Sequence, residues 1–258
     1  MKKITIIIFM LMLASFSQAQ HINKSCVVNY SKSFFSDTRD YFVAPFKWDG
    51  KQVALYGGFL AAGVGVYFVD DWIHEQIPVP NVSQQEGIKY GLSYFGNGYY
   101  TMPLMAGMFL YGLSAQKELP FQTAMMGVKS FVISTVLTRA IKYSFNRSRP
   151  NENQGSQFWG GPFKSFSLSF PSGHSTGAFA IASVLATNYA HKKWIPIASY
   201  TLATGVGLSR VWTKNHWASD VIFGALIGWS VGTVVTKIEC IKKESSLKVE
   251  GSGLVWKF

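Results

Sequence analysis

Three short stretches hold most of the side chains that could do chemistry. The first, KYSFNRSRP, opens with Lys142 and reaches Arg149 and Pro150 after six intervening residues. The second is Pro171-Ser172-Gly173-His174. The third starts at Ser209-Arg210, places His216 after five more residues and Asp220 after another three. Together they supply three cations, two imidazoles, a carboxylate and a Ser-Gly turn. That set suits a tetrahedral, multiply charged oxyanion such as phosphate. His216 and Asp220 are four apart, which predicts one helix face with the carboxylate against one ring nitrogen. A carboxylate so placed fixes the tautomer and leaves the other nitrogen free to attack. Ser172 and Gly173 directly precede the apolar run STGAFAIASVLA. Their amides therefore sit at a helix N-terminus, where the partial positive end adds to the N–H donors. His174 then lies beside the bound anion, in position for a general acid, and Arg210 closes the apolar run IPIASYTLATGVGLS.

Each piece alone has an ordinary reading: a helix cap, a loop Arg-Pro, a surface ion pair. In this order and at these gaps they resemble the type 2 phosphatidic acid phosphatase superfamily. Its pattern is Lys-x6-Arg-Pro, Pro-Ser-Gly-His and Ser-Arg-x5-His-x3-Asp, and every position is matched between residues 120 and 237. The resemblance implies a metal-independent phosphatase that passes through a phosphohistidine. His216 would be the nucleophile, Asp220 its orienting partner and His174 the acid for the leaving alkoxide. Lys142, Arg149 and Arg210, with Ser172 and the Gly173 amide, would hold the phosphoryl oxygens. No cofactor is implied, and no Asp/Glu/His cluster with metal-ligand spacing stands in the sequence.

The elements that position these residues are apolar. Of the 258 residues, 48% are hydrophobic and only 14% charged, against about 25% charged in soluble domains. Mean hydropathy is +0.15. The net charge of +11 comes with no basic run or interleaved aromatic stripe, so nucleic acid is not the partner it suggests. Arg139, Lys142, Arg147, Arg149, Lys164 and Arg210 fall in the anion-site loops. The charge fits membrane topology and an anionic substrate. Cys26 and Cys240 are too few for a disulfide scaffold or metal cluster, and neither is in a motif.

The expected fold is all-α, a bundle of about five to six mostly membrane-embedded helices with the site at one end. Residues 1–19 (Lys2-Lys3, an apolar run, small residues to Ala19) read as a signal peptide. An arm follows to residue 51 with short helical pieces, then a helical domain over 52–237 and a tail over 238–258. Helices are predicted over 52–69, 102–115, 122–143, 174–190, 195–211 and 217–236. The stretch 70–100 reads as loop with one short helix near 84–95, and 146–170 as a loop carrying an exposed Phe158-Trp159 pair. Gly57/Ala61/Gly65 and Gly224/Gly228/Gly232 recur at four-residue spacing and predict two faces for close helix packing.

The basic clusters at 191–193 and 237–243 predict cytoplasmic ends, which puts the three motifs on the periplasmic face of a bacterial-type membrane. A cleaved signal leaves residue 20 on that same face, and three spans before Lys142 then return it to the wrong side. Either one of the runs 52–69 and 102–115 falls short of spanning, the N-terminal segment is unusual, or the bundle is only partly embedded. The favoured substrate is a lipid phosphate delivered from the bilayer: phosphatidate, phosphatidylglycerol phosphate, isoprenyl diphosphate or a lipid A phosphate. The alternatives are a periplasmic acid phosphatase for soluble esters, a vanadate-type haloperoxidase, and a membrane protein keeping only the anion pocket.

Overall fold

In a computed structural model the described residues are 24–78, 81–162 and 168–251, and they form helices and turns with no strand among them. The segment read as a signal peptide lies outside them, as does Lys164. In chain order the helices are α1 (Lys24–Val43), α2 (Gly50–Tyr67), α3 (Asp70–Gln76), α4 (Val82–Ile88), α5 (Thr101–Ser114) and α6 (Glu118–Phe145). Then come α7 (Gly173–Asn188), α8 (Trp194–Trp212) and α9 (Ala218–Gly251).

The centre is α7, where ten of sixteen residues are buried and eight of the ten are Ala, Gly, Ser or Thr. Small side chains let α6, α8 and α9 close around it on all sides. The tightest approach is to α9. A Cβ on Gly224, Gly228 or Gly232 would come within 2.4, 2.2 and 2.5 Å of the backbone oxygens of Ser172, Thr176 and Ala180. That glycine face packs as predicted. The one at Gly57/Ala61/Gly65 does not: these residues are exposed, with open space beside both glycines. Instead α2 turns Gly63 onto Phe223, and Tyr56 and Phe59 onto Trp229. Four-residue spacing defines a face but not which neighbour covers it.

These contacts also fix direction. Residues 56 and 59 meet 229 while 63 meets 223, so α2 runs antiparallel to α9 and ends beside the start of α9. Met105 meets Gly127 and Gly112 meets Phe121, so α5 and α6 are antiparallel too. From α2 onward the longer helices α2, α5, α6, α7, α8 and α9 thus alternate in direction. The short member is α5, whose fourteen residues rise only about 21 Å.

Two regions differ from the sequence reading. The N-terminal arm is one twenty-residue helix rather than short pieces. It is held by tertiary contacts that periodicity cannot show: buried Asp37 pairs with Lys129 of α6 at 2.5 Å, and Tyr41 bonds Ser230 of α9 at 2.9 Å. The 70–100 segment is largely helical. It begins with α3, continues through α4 and a π turn over Lys89–Ser93, and ends in a short turn at Tyr94–Gly96. Gly96 touches the His174 backbone so closely that a Cβ would sit 2.6 Å from its oxygen, so this segment roofs the site.

Among the described residues, Glu118–Phe145 and Ala218–Ile238 are long and apolar enough to cross a membrane. Gly50–Tyr67 with Asp70–Gln76 makes a third such unit, bent by 64° at its break. Val128, Val132 and Val136 on α6 and Leu55, Phe59, Leu60 and Val64 on α2 face outward, as lipid contact requires.

Candidate active site

Four helix ends meet at one pole of the bundle. The last turn of α6 delivers Lys142, whose Nζ donates to the carbonyls of Leu168 and Ser169 (2.9 Å to the latter). Its Cε lies 4.0 Å from the Cβ position of Gly173, so the ammonium stands over the start of α7. Ser172 is the buried N-cap of that helix: its Oγ accepts from the Ser175 amide and its own amide donates to the Asp220 carbonyl at 2.9 Å. With Ser172 engaged as cap, the Gly173 and His174 amides are first-turn donors outside the helical ladder.

From α8, Arg210 donates through Nη1 to Ser93 Oγ at 2.8 Å, while its buried Nε has no partner. The Arg210 carbonyl accepts from the Asn215 and His216 amides at 3.1 and 3.3 Å, which folds the chain back sharply after the helix. His216 is therefore not on a helix, since α9 begins two residues later. The turn, not a shared helix face, brings it to Asp220. Its Nδ1 stands 3.7 Å from Asp220 Oδ2 without a hydrogen bond.

Asp220 is fully buried and saturated with donors. Oδ2 accepts from Ser169 Oγ at 2.6 Å and the Trp217 amide at 3.0 Å, and Oδ1 accepts from Arg147 Nη1 at 2.7 Å. Every partner is a donor, so the group is an ionised carboxylate. The Arg147 guanidinium goes on to Asp70 Oδ2 at 2.8 Å through Nη2 and to the Ser156 carbonyl at 2.8 Å through Nε. The rings of Tyr67, Trp159 and Trp217 surround it.

Burial holds His216 well below the usual imidazole range, at about 4; Asp220 opposes that shift while Lys142 and Arg149 add to it. His174 is pushed down further, to about 3, first by burial and then by Arg210, His216, Lys142 and Arg149. Both imidazoles are neutral at physiological pH and lie beside Lys142, Arg149 and Arg210. A polar cavity of about 390 Å³ opens here, lined by Glu86, Ser93, Tyr94, Asn97, His174 and Arg210 among others.

A family profile described as PAP2 superfamily matches residues 124–241. An undecaprenyl-diphosphatase of Sulfolobus acidocaldarius is 30% identical over 191 residues, covering 72% of this chain and 84% of that protein. The chain belongs to the PAP2 superfamily. A lipid A 1-phosphatase of Porphyromonas gingivalis is also 30% identical, over 81% of this chain, which spans only 42% of that longer protein. Among solved structures, the transmembrane PAP2 type phosphatidylglycerolphosphate phosphatase of Bacillus subtilis superposes with a TM-score of 0.51. It is 25% identical over 72% of this chain and 94% of that one. With relatives of this kind, the outward apolar faces of the helices mark a membrane protein.

As a PAP2 chain it brings Lys142, Arg149, Ser172, Gly173, His174, Arg210, His216 and Asp220 to one pole. Arg149 is half-buried on the loop after α6, close enough for its charge to act on both histidines. Arg147, grouped by sequence with the anion-site cations, belongs elsewhere: it is wholly buried and spent on two carboxylates. The exposed aromatic pair is half right. Phe158 is exposed, but Trp159 packs between Phe145 and Phe170 and donates to Tyr67 Oη at 3.1 Å. Asp70 and Ser169 escaped the sequence reading because they lie outside the three motifs, and Ser219 because it fills an unspecified position of the third. The one signal for Asp70 was a carboxylate pair closing an apolar helix, where a charge needs a buried partner.

Proposed function

We propose that this PAP2 protein hydrolyses the phosphate ester or diphosphate of a membrane lipid, with His216 as nucleophile. The observation that carries the reading is the ring of Lys142, Arg149 and Arg210 around two neutral imidazoles, one of them backed by a buried carboxylate. The phosphoryl group would sit on the Gly173 and His174 amides with its oxygens on the three cations, where negative charge develops in the transfer. A His216 ring nitrogen attacks phosphorus, the ester P–O bond breaks, and the leaving oxygen takes a proton through His174. Water then attacks the phosphohistidine with His174 as base, releasing phosphate and restoring neutral His216. The three cations supply the counter-charge that a metal would bring elsewhere, so turnover should survive chelation. Ser172 supports the anion site by capping the helix whose amides bind.

A second cavity supports a lipid. It holds about 400 Å³, is almost wholly apolar, and runs along α7 and α8 past Phe95, Ala178, Ile181, Leu185 and Leu202. It adjoins the polar cavity at Tyr94–Phe95 and one helical turn beyond His174. A head group in the polar cavity could thus leave its chain in the apolar one.

The test is phosphate release, in detergent with EDTA, from phosphatidate, phosphatidylglycerol phosphate, an isoprenyl diphosphate, a lipid A phosphate and soluble sugar phosphates. Lipid turnover that is lost in His216→Ala supports the reading. Turnover restricted to soluble esters, or dependent on added magnesium, would sink it.

A further inference from the structure

The buried charge around Asp220 does not balance with the catalytic residues alone. Arg147 binds Asp220 Oδ1 at 2.7 Å, and a full positive charge so close would cancel most of the field that the carboxylate exerts on His216. Asp70 stands on the other side of the same guanidinium at 2.8 Å. Its acceptor set is complete: Oδ1 takes the Ser219 amide at 3.0 Å, and Oδ2 takes Arg147 Nη2 and the Ser219 hydroxyl. Ser219 Oγ in turn accepts from Arg147 Nη1 at 2.8 Å, closing a ring of Asp70, Ser219 and Arg147 next to Asp220. Asp70, Arg147 and Asp220 are all fully buried, and two carboxylates with one guanidinium leave one negative charge.

That charge faces the imidazole ring of His216, which becomes positive when it is phosphorylated. The others facing it are cations or neutral: Lys142 from α6, Arg149 from the following loop and His174 from α7. The break between α2 and α3 has a matching purpose. It bends the chain by 64° and places Asp70 in the first turn of α3, beneath the start of α9. Asp71 fastens the same corner by accepting from the Ser156 amide and hydroxyl at 2.9 and 2.7 Å.

We propose that Asp70 and Arg147 are positioning residues for the nucleophile: Arg147 clamps Asp220, and Asp70 restores the negative charge that this clamp would otherwise cancel. The inference rests on the reading of His216 as nucleophile and adds to it a second carboxylate from the opposite end of the sequence.

Charge counting separates this role from a merely structural one. Asp70→Asn keeps the size and most acceptors but leaves the cluster neutral. It is expected to keep KM within about twofold and lower kcat by about 10- to 100-fold, the loss of one to two pKa units of support for the ring. Asp70→Asn combined with Arg147→Gln removes one charge of each sign and returns the cluster to one negative charge. Its kcat should recover to within about tenfold of the parent. Thermal unfolding in detergent and protection by inorganic vanadate report whether each variant is folded. Parental kcat in Asp70→Asn, or a folded double variant no faster than the single one, would overturn the proposal. Should Asp70→Asn not fold, the charge-balanced double variant decides, and a folded but inactive double counts against. His216→Ala is run in parallel: if it still turns over, the nucleophile assignment itself has failed, and the outcome at Asp70 is not needed to show it.

Discussion

The two histidines should respond differently to loss. His216→Ala removes the attacking atom, so turnover of every substrate should vanish and no phosphoenzyme should be trapped by acid quench. His174→Ala removes only the proton for the leaving oxygen, a loss of roughly 10²- to 10⁴-fold on alkyl esters. Aryl phosphates, whose leaving group needs no proton, should be partly spared; equal loss on both classes would reverse the roles. The pH profile follows from the same residues. His174 is held near 3 in the free site, so it carries no proton to give at neutral pH, and the substrate must bring one. A phosphate monoester keeps its last proton below about pH 6. His216, held near 4, stays an unprotonated nucleophile down to that value. For a monoester, kcat/KM should therefore peak between about 4 and 6 and fall as pH rises through the substrate's pKa. A profile that climbs through pH 7 to 8 would show that His174 is not the proton donor as placed.

Among elements, the contact of α7 with α9 is the one that glycine makes possible. Gly228 meets the Thr176 carbonyl, and Thr176 holds α6 through Thr138 Oγ1 at 3.1 Å, so a side chain here pushes apart three helices behind the site. Gly228→Ala should cost about 1–3 kcal/mol by overpacking and lower activity with stability, read by thermal unfolding in detergent. Gly57→Ala, with open space beside it, should change stability by at most about 0.5–1 kcal/mol in either direction. Equal costs at the two positions would mean that α7 and α9 do not pack as described.

For the whole molecule, the alternation of helices ties the ends of the chain to the sides of the membrane. Gln157 is exposed at the catalytic pole, while Lys51 and Lys192 are exposed at the other. We expect the catalytic pole to face the periplasm, because the basic residues His191-Lys192-Lys193 lie opposite. Single cysteines placed on a Cys-free background give the reading. Gln157→Cys should react with an impermeant maleimide in intact spheroplasts, and Lys51→Cys and Lys192→Cys only after lysis. Reaction of all three before lysis would mean a bundle that does not span.

The candidate site was legible in the sequence because its parts are local. A helix N-cap, an Arg-Pro step and a His four residues before an Asp are fixed by spacing along the chain, so their residue types could be read before any fold was known. The all-helical architecture was legible for the same reason, since long apolar runs such as 122–143 and 217–236 impose helices wherever backbone groups must bond within the segment. Contacts between distant segments were not. Gly57 and Gly228 carry the same four-residue pattern, and only the packed bundle shows that one faces open space and the other a carbonyl. Asp37 and Lys129, or Asp70 and Arg147, are about 75 to 95 positions apart, and nothing local marks them as partners. A buried charge is tolerated only where its counter-charge arrives. The tertiary structure alone separated the cations: Arg147 is taken by two carboxylates, while Lys142, Arg149 and Arg210 lie near the two histidines.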